Sequence, residues 1–258
     1  MEFVKEDFLR LKSGYYDIPV LISRPEGEDN PPIIIFCHGF GGNKTEKNRM
    51  FFRLASKLNK KGFTTIRFDF SGFGDSPAPS TAFSLSQAVL DLESVFVYLN
   101  KNTYGDPSRI GVVAYSLGGL VCAKALGDRL PIKFACMISA VEHFSPPEED
   151  HKSPKRCTDT SFWFRGYEIS TDFIEELMSF KGAEAIRNKQ IPIKFIHGSA
   201  DQTVNLTHLV NYFSALSTRD YPPVIIDGAD HYYMKDNHQR QLDDAVISFA
   251  CAMKNIVQ

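Results

Sequence analysis

Short, strongly apolar runs alternate with longer amphipathic segments along most of this chain. The runs at 33–37 and 110–114 are rich in β-branched residues and lack polar alternation, which is typical of strands buried on both faces of a parallel sheet. Residues 3–11 and 15–23 mix polar and apolar positions, as strands at an antiparallel edge do. The predicted strands are residues 3–11, 15–23, 33–37, 63–68, 110–114, 133–139, 191–196 and 224–226.

Apolar residues recur at helical spacing in the segments between these strands. Phe51, Leu54, Ala55 and Leu58 share one face of a predicted helix at 46–60. The predicted helices are residues 46–60, 85–99, 117–126, 171–180, 206–216 and 237–255. Because strands and helices alternate, the pattern predicts an α/β protein with a doubly wound sheet.

The alternation is interrupted between residues 141 and 189 by a charged, proline-bearing loop, an aromatic group and a predicted helix. An insertion of this size after a strand usually covers the active-site end of a sheet. We therefore expect an α/β core formed by residues 1–140 and 190–258, and a cap insertion formed by residues 141–189.

The aromatic group of the cap includes Phe162, Trp163 and Tyr167. Such a density of aromatic side chains is suited to an apolar wall around a substrate, so these three residues are candidate substrate contacts. The alternative is that they form the small internal core of the cap itself. The sequence leaves both interpretations open.

Composition and charge narrow the class of partner. The 258 residues carry a formal net charge of -2 and no basic run, which argues against nucleic acid and favours a small-molecule substrate. The first residues contain no apolar signal core, and no apolar run reaches membrane-spanning length. We therefore expect a cytoplasmic protein without stable membrane insertion, and we leave a homodimer open.

The cysteines are odd in number and form no C-x-x-C pair. Most lie in apolar strand or helix patterns, where cysteine usually behaves as a small buried apolar residue. We expect all of them to be reduced, in agreement with a cytosolic location. They are Cys37, Cys122, Cys136, Cys157 and Cys251.

Ser116 lies between a predicted strand and a predicted helix, in the sequence A-Y-S-L-G. A serine at an abrupt strand-to-helix turn is the context of a nucleophile elbow, which lifts the hydroxyl above the edge of the sheet. Ala114 replaces the first glycine of the usual G-x-S-x-G pattern, which is the smallest change available. A glycine-rich sequence from His38 to Gly42 follows another strand and has the backbone freedom that an oxyanion-binding loop needs.

A serine hydroxyl becomes an effective nucleophile when an adjacent base takes its proton and a third group orients that base. Ser116, Asp201 and His231 each follow a predicted strand, in the chain order Ser, Asp, His. His208 and His238 fall within predicted helices, where we expect them on solvated faces. His231 is therefore the candidate base.

The motifs H-G-F-G-G-N-K, R-F-D-F-S-G-F-G-D-S, A-Y-S-L-G-G, H-G-S-A-D-Q-T-V and G-A-D-H resemble those of the α/β-hydrolase superfamily. The chain is most similar to its small bacterial cinnamoyl (feruloyl) esterases and related acylglycerol lipases. The resemblance implies an eight-stranded, mostly parallel sheet with helices on both faces. It also implies Ser116 as nucleophile, His231 as general base and Asp201 as orienting acid, with the backbone N–H groups of Phe40 and Leu117 as the oxyanion hole.

These features together predict a serine esterase that cleaves carboxylic esters through an acyl-enzyme, with no metal or organic cofactor. Aryl (cinnamoyl or feruloyl) and short-to-medium acyl esters are the expected substrates. Alternatives on the same fold are an acylglycerol lipase and an acyl-peptide hydrolase. An alternative from a different class is a catalytically silent protein that binds a small ligand.

Overall fold

Eight strands form one central sheet, and β-branched and aromatic residues fill its buried positions. The computed structural model describes residues 6–144 and 155–254. The strands are β1 Glu6–Ser13, β2 Tyr16–Ser23, β3 Pro32–Cys37, β4 Thr64–Phe68, β5 Asp106–Tyr115, β6 Phe134–Ile138, β7 Lys155–Arg156, β8 Ser161–Phe164, β9 Tyr167–Ser170, β10 Ile193–Gly198 and β11 Val224–Ile226. The helices are α1 Met50–Asn59, α2 Leu85–Asn100, α3 Leu117–Gly127, α4 Thr171–Ser179, α5 Gly182–Ile186, α6 Leu206–Ala215 and α7 Asp236–Lys254.

The strand order in the central sheet is β1-β2-β4-β3-β5-β6-β10-β11. Strands β1 and β2 pair antiparallel with each other, and β2 pairs antiparallel with β4. The other neighbours pair in parallel. The predicted antiparallel edge is thus confirmed, as is the eight-stranded, mostly parallel sheet.

Both faces of the sheet are buried, because side chains alternate along each strand. On β3, Ile33 and Ile35 belong to the core cluster on one face, whereas Ile34 and Phe36 belong to the cluster on the other. Helices α1 and α7 pack on the second face, and α2, α3 and α6 pack on the first. Helices on both faces are therefore confirmed.

The parallel strands place their carboxyl ends at one edge of the sheet. The loops that follow β3, β4, β5, β10 and β11 carry the histidine-glycine sequence, the D-F-S-G loop, the candidate elbow, Asp201 and His231. This edge is where open α/β sheets bind ligands. The topology alone therefore gathers most of the motif-bearing loops in one place.

The first helix begins later than predicted. The sequence predicted it from residue 46, but α1 starts at Met50 after a 3-10 turn at Lys47–Arg49. Glu46, Asn48 and Arg49 have positive φ angles of 58°, 55° and 55°, which a helix cannot contain. Glu46 is mostly buried, and its carboxylate is committed to the loop after β3.

The expected cap contains an antiparallel sheet that the sequence did not predict. Strands β7, β8 and β9 pair in that order, and Arg165 and Gly166 connect β8 to β9 with φ angles of 49° and 86°. Positive φ at both connecting residues is the geometry of a tight two-residue hairpin turn. Residues 145–154 of the expected cap lie outside the described residues, and its boundaries remain a prediction.

All five cysteines are free, and three of them, Cys37, Cys122 and Cys136, are buried in the core. Within residues 6–144 and 155–254, no helix combines the length and the apolar character needed to cross a membrane.

Two glycines of α3 provide a matched test of how closely this helix must approach the sheet. A Cβ atom at Gly118 would collide with the backbone carbonyl of Cys37, whereas one at Gly127 would lie 3.4 Å from the Ala185 methyl. We expect Gly118→Ala to lower the free energy of unfolding by about 1–3 kcal/mol, because the obstacle is backbone that cannot rotate away. Gly127→Ala should be neutral or stabilising by ~0.4–1 kcal/mol.

Urea unfolding followed by circular dichroism measures both values. Equal stability of the two variants would show that α3 does not need the close contact with β3.

Candidate active site

Ser116 occupies a strained corner between β5 and α3. Its φ of 53° and ψ of -120° are unfavourable for any residue with a side chain. Hydrogen bonds from its backbone groups to neighbouring residues fix this conformation. The Ser116 N–H donates to Ile138 O at 2.9 Å, and the Ser116 carbonyl accepts from Gly119 N and Val141 N, both at 3.0 Å. Ala114 is fully buried two residues earlier. The structure thus has the elbow geometry that the sequence predicted.

The structure brings Ser116, His231 and Asp201 together in one hydrogen-bonded series. Ser116 Oγ lies 3.1 Å from His231 Nε2, and His231 Nδ1 lies 2.7 Å from Asp201 Oδ2. All three side chains are largely buried. A proton on Nδ1 donated to the carboxylate leaves the Nε2 lone pair facing the serine hydroxyl, which is the tautomer that a general base requires.

Asp201 is held as an acceptor by its own loop. Its Oδ1 accepts the backbone N–H groups of Thr203 and Val204 at 2.9 and 2.8 Å. Burial raises the pKa of Asp201, but the hydrogen bond from His231 and these two amides outweigh it and lower the pKa below its ordinary value. The carboxylate is therefore ionised at neutral pH and accepts the hydrogen bond from His231 Nδ1.

The His231 backbone is fixed from the sheet. Its carbonyl accepts the Tyr115 hydroxyl at 2.9 Å, and the two rings lie 5.1 Å apart between centroids. Tyr115 is the last residue of β5, directly before Ser116. The same strand end therefore positions both the hydroxyl and the imidazole.

Phe40 and Leu117 supply backbone N–H groups beside the serine. Among the residues that the structure describes, neither amide has a hydrogen-bond acceptor, and both residues line the same cavity as Ser116. An added Cβ at Gly39 would lie 3.2 Å from Ser116 Cβ, so the loop after β3 passes directly over the serine. The Leu117 amide is also the first of α3, where the helix dipole favours negative charge.

Two contacts orient the peptide between Gly39 and Phe40, and a third orients the peptide before it. The Gly39 carbonyl accepts His38 Nδ1–H at 2.8 Å and Gly42 N–H at 3.1 Å, and the Gly39 N–H donates to Glu46 Oε1 at 2.7 Å. Because C=O and N–H point in opposite directions across a trans peptide, binding the Gly39 carbonyl turns the Phe40 N–H away from these partners. His38 thus orients that amide directly, and Glu46 holds the loop one peptide earlier, through the Gly39 N–H.

His38 also ties this loop to the loop after β4. Its Nε2 accepts the Phe70 N–H at 3.0 Å, so the ring proton lies on Nδ1. Burial lowers the pKa of His38 and keeps the ring neutral at neutral pH, which preserves both hydrogen bonds. Lys44 joins the same loops, since its backbone N–H and its ammonium both donate to Asp69 at 2.6 Å.

A cavity of about 620 Å³ opens above the serine. The apolar side of its lining includes Phe40, Phe144, Phe164, Phe173 and Leu177, and the Phe40 ring lies 5.1 Å from that of Phe164 and 6.1 Å from that of Phe173 between centroids. The polar side of its lining includes His143, His208, Gln202 and Thr203, and the two histidine rings lie 4.9 Å apart. The site can therefore hold an apolar group and a polar group at the same time.

None of the three residues that the sequence predicted as substrate contacts in the cap is among the residues that line this cavity. Trp163 is 50% exposed, since side chains alternate along β8 and only Phe164 of the aromatic group faces the cavity. Phe162 packs against the core beneath Arg156. The Tyr167 hydroxyl donates to the Gly41 carbonyl at 3.1 Å, so it supports the loop after β3 instead.

Both helical histidines differ from the solvated positions that the sequence predicted. His238 is buried, and His208 lines the polar side of the cavity. Burial, with the neighbouring His143 adding to it, lowers the pKa of His208 to about 4, so its ring is neutral at neutral pH. The helical spacing predicted that both residues lie in helices, but it did not show which neighbouring residues cover them.

Comparisons with known proteins agree with this architecture. A family model described as alpha/beta hydrolase fold matches residues 32–170. An uncharacterized 31.7 kDa protein from the traX-finO intergenic region of Escherichia coli is 37% identical over 117 residues, 45% of this chain and 38% of that protein. The match thus spans less than half of that relative. A protein of Acanthamoeba polyphaga mimivirus, named as an alpha/beta hydrolase, is 24% identical over 244 residues, 94% of this chain and 83% of that protein.

A solved structure extends the comparison to the whole fold. Est1E from Butyrivibrio proteoclasticus, with ferulic acid bound, superposes with a TM-score of 0.79 at 19% sequence identity, over 97% of this chain and 100% of that one. At this level of identity the likeness concerns the fold. Together with the family match, it confirms the resemblance that the motifs predicted.

The contact between Glu46 and Gly39 predicts a difference between two substitutions. Glu46→Ala removes the acceptor of the Gly39 N–H and loosens the loop, so Ser116 should react about 10-fold more slowly with a fluorophosphonate. This is less than the roughly 10²–10³-fold cost of losing an oxyanion donor entirely. Glu46→Gln keeps an oxygen at the same place and should react at nearly the wild-type rate.

The measurement is the rate of covalent labelling, with the thermal midpoint of each variant as a check on folding. Equal rates in wild type and Glu46→Ala would remove Glu46 from the positioning of this loop.

Proposed function

The chain belongs to the α/β hydrolase fold family, and from this premise we propose that it hydrolyses carboxylic esters through an acyl-enzyme on Ser116. The observation that carries the proposal is the series Asp201, His231 and Ser116, joined at 2.7 and 3.1 Å beside two amides without acceptors. Nucleophile, base, orienting acid and oxyanion donors are the complete set that acyl transfer requires.

In the first step, His231 Nε2 takes the proton of Ser116 Oγ as the oxygen attacks the carbonyl carbon of the ester. The electron pair of the C=O bond moves to its oxygen, which the N–H groups of Phe40 and Leu117 stabilise. One such donor typically contributes roughly 3 kcal/mol to lowering the barrier. The carboxylate of Asp201 stabilises the imidazolium that forms.

In the second step, the tetrahedral intermediate expels the alcohol, which takes the proton from His231 Nε2. The acyl group remains bound to Ser116 Oγ. Water then gives a proton to His231 and adds to the acyl carbon. The bond to Ser116 breaks, the serine regains its proton from His231, and the carboxylic acid leaves. The atoms and charges balance without a metal or an organic cofactor.

The substrate class follows from the apolar side of the cavity. Phe40, Phe144 and Phe164 would pack against an aryl group or a short-to-medium acyl chain. Two of these residues, Phe144 and Phe164, lie within the proposed cap, residues 141–189, so the cap contributes to acyl selection. The bound ferulic acid of the structurally similar Est1E supports an aryl ester as one test substrate.

The alternative functions require different properties of the same cavity. The apolar side of the cavity would also suit the acyl chain of an acylglycerol, so a lipase of that class is the second candidate. A catalytically silent ligand-binding protein would have no use for a proton acceptor 3.1 Å from Ser116 Oγ.

We expect wild type to hydrolyse members of a p-nitrophenyl ester series from acetate to palmitate, or methyl ferulate. Ser116→Ala should lower the turnover number by about 10⁴-fold or more, because no other group can form the acyl-enzyme. Preference for ferulate or for medium chains distinguishes an aryl esterase from an acylglycerol lipase. A folded wild type without turnover and without fluorophosphonate labelling would instead support the silent ligand-binding protein.

Neighbouring residues of β8 give a paired test of acyl selection. Phe164→Ala enlarges the apolar side of the cavity and should change the ratio of kcat/KM between long and short acyl groups by roughly 10-fold. Trp163→Ala removes an exposed ring outside the cavity and should leave that ratio unchanged. Equal shifts of the ratio in the two variants would show that Phe164 does not belong to the part of the cavity that selects the acyl group.

A further inference from the structure

Glu142, His143 and His208 form a cluster in the polar side of the cavity. One possible metal-ligating atom from each residue lies within 4.8 Å of those of the other two. Two imidazoles and one carboxylate are a donor set that Zn²⁺ binds in proteins. We propose that this cluster is a binding site for Zn²⁺ in the wall of the proposed active-site cavity.

The protonation of the cluster is set by its hydrogen bonds. The backbone N–H of Glu142 points at His208 Nδ1 at 3.2 Å, and only an unprotonated ring nitrogen can accept it. His208 Nδ1 therefore carries a lone pair on the side of Glu142. His143 Nδ1 lies 2.6 Å from Glu142 Oε2, which places a single proton between these two atoms.

An incoming Zn²⁺ would replace that proton. Glu142 Oε2, His143 Nδ1 and His208 Nδ1 would hold the metal. The proton on His143 Nδ1 would pass to water, and the ring would bind as a neutral imidazole with its one proton on Nε2, taken up from water where that atom does not already carry it. The backbone N–H of Glu142 gives up its long contact to His208. No electron is transferred, and the two rings are already 4.9 Å apart between centroids, so the change needed is small.

The carboxylate is held in place by a second set of contacts. Asn211 Nδ2 donates to Glu142 Oε2 at 3.2 Å, and the Ala183 N–H donates to Oε1 at 3.3 Å. The Gly182 N–H donates to the Glu142 carbonyl at 2.8 Å, so both the backbone and the side chain of this residue are fixed. Partners of this kind orient a ligand before the metal arrives.

The position of the cluster decides what the ion would do. His143 and His208 line the same cavity as Ser116, so an ion held between them would lie beside the space that the proposed substrate occupies. A bound ion would narrow that space and raise the KM for esters. Binding itself does not involve Ser116, so this inference stands apart from the proposed esterase activity.

Isothermal titration of the full, tag-free chain with ZnCl₂, after removal of metal by a chelator, tests the site. We expect one ion per chain, and the same affinity in Ser116→Ala. Cys157 is an exposed thiol that can bind Zn²⁺ by itself, so Cys157→Ser is the matched control and should also bind one ion. The visible spectrum of Co²⁺ in the same site should show nitrogen and oxygen ligation without a thiolate band.

Replacing a zinc ligand should weaken zinc binding more than replacing a residue that only supports a ligand. Asn211→Leu should weaken binding about 10-fold, and His143→Gln or His208→Gln by more than about 100-fold. His143 is partly exposed and the easier of the two to replace without unfolding, and thermal midpoints identify any variant that does not fold. The proposal is overturned by the absence of binding in wild type, by unchanged affinity in folded His143→Gln, or by loss of binding in Cys157→Ser.

Zinc should also raise the KM of wild type for an ester, and a chelator should reverse the effect. In His143→Gln the same zinc concentration should have a much smaller effect. Undiminished inhibition in that variant would place the inhibitory ion on His231 instead. A wild type that binds zinc but hydrolyses no ester would refute the proposed function and leave this site intact.

Discussion

The site depends on the backbone of one residue, Ser116, which is held at a positive φ angle. Such a conformation costs of order 1–3 kcal/mol and persists only where the surroundings fix it. Here the fixing groups are the end of β6 and the first turn of α3, which take up both the N–H and the carbonyl of the residue. The helix must then pass close to the carbonyl of Cys37, which only a glycine at 118 permits. The hydroxyl, the Leu117 amide and the helix dipole are thereby placed by a single turn.

The remaining groups reach the serine because loops at the same edge of the sheet hold one another. His38 joins the loop after β3 to the loop after β4, and Tyr115 joins the end of β5 to the loop of His231. In both cases a side chain at or just after a strand end bonds a backbone group of the neighbouring loop. These hydrogen bonds hold the proposed catalytic groups against the ends of the strands, as preorganisation requires.

Much of this could be predicted from the sequence, since the information is local. Ser116, Asp201 and His231 each follow a strand that pairs in parallel with its neighbours, and parallel strands bring such positions to one edge. The course of the chain around Glu46 could not be predicted, because residues 43–49 are all polar and contain no apolar spacing that would distinguish a helix from a turn. The helix starts late because the Glu46 carboxylate bonds the N–H of Gly39, seven residues earlier. The walls of the cavity could not be predicted either. Only the pairing of β8 and β9 decides that Phe164 faces inward and Trp163 outward.

The hydrogen bond from Tyr167 to the Gly41 carbonyl has a consequence for how this protein can diversify. It links the hairpin next to the cavity to the loop that carries the Phe40 amide. Mutations that reshape the hairpin therefore also act on the loop that supplies an oxyanion donor in the proposed reaction. Descendants with altered specificity must keep a hydroxyl donor at position 167 or supply another for Gly41. The need to keep this hydrogen bond therefore limits the substrates that the protein can acquire without a loss of reaction rate.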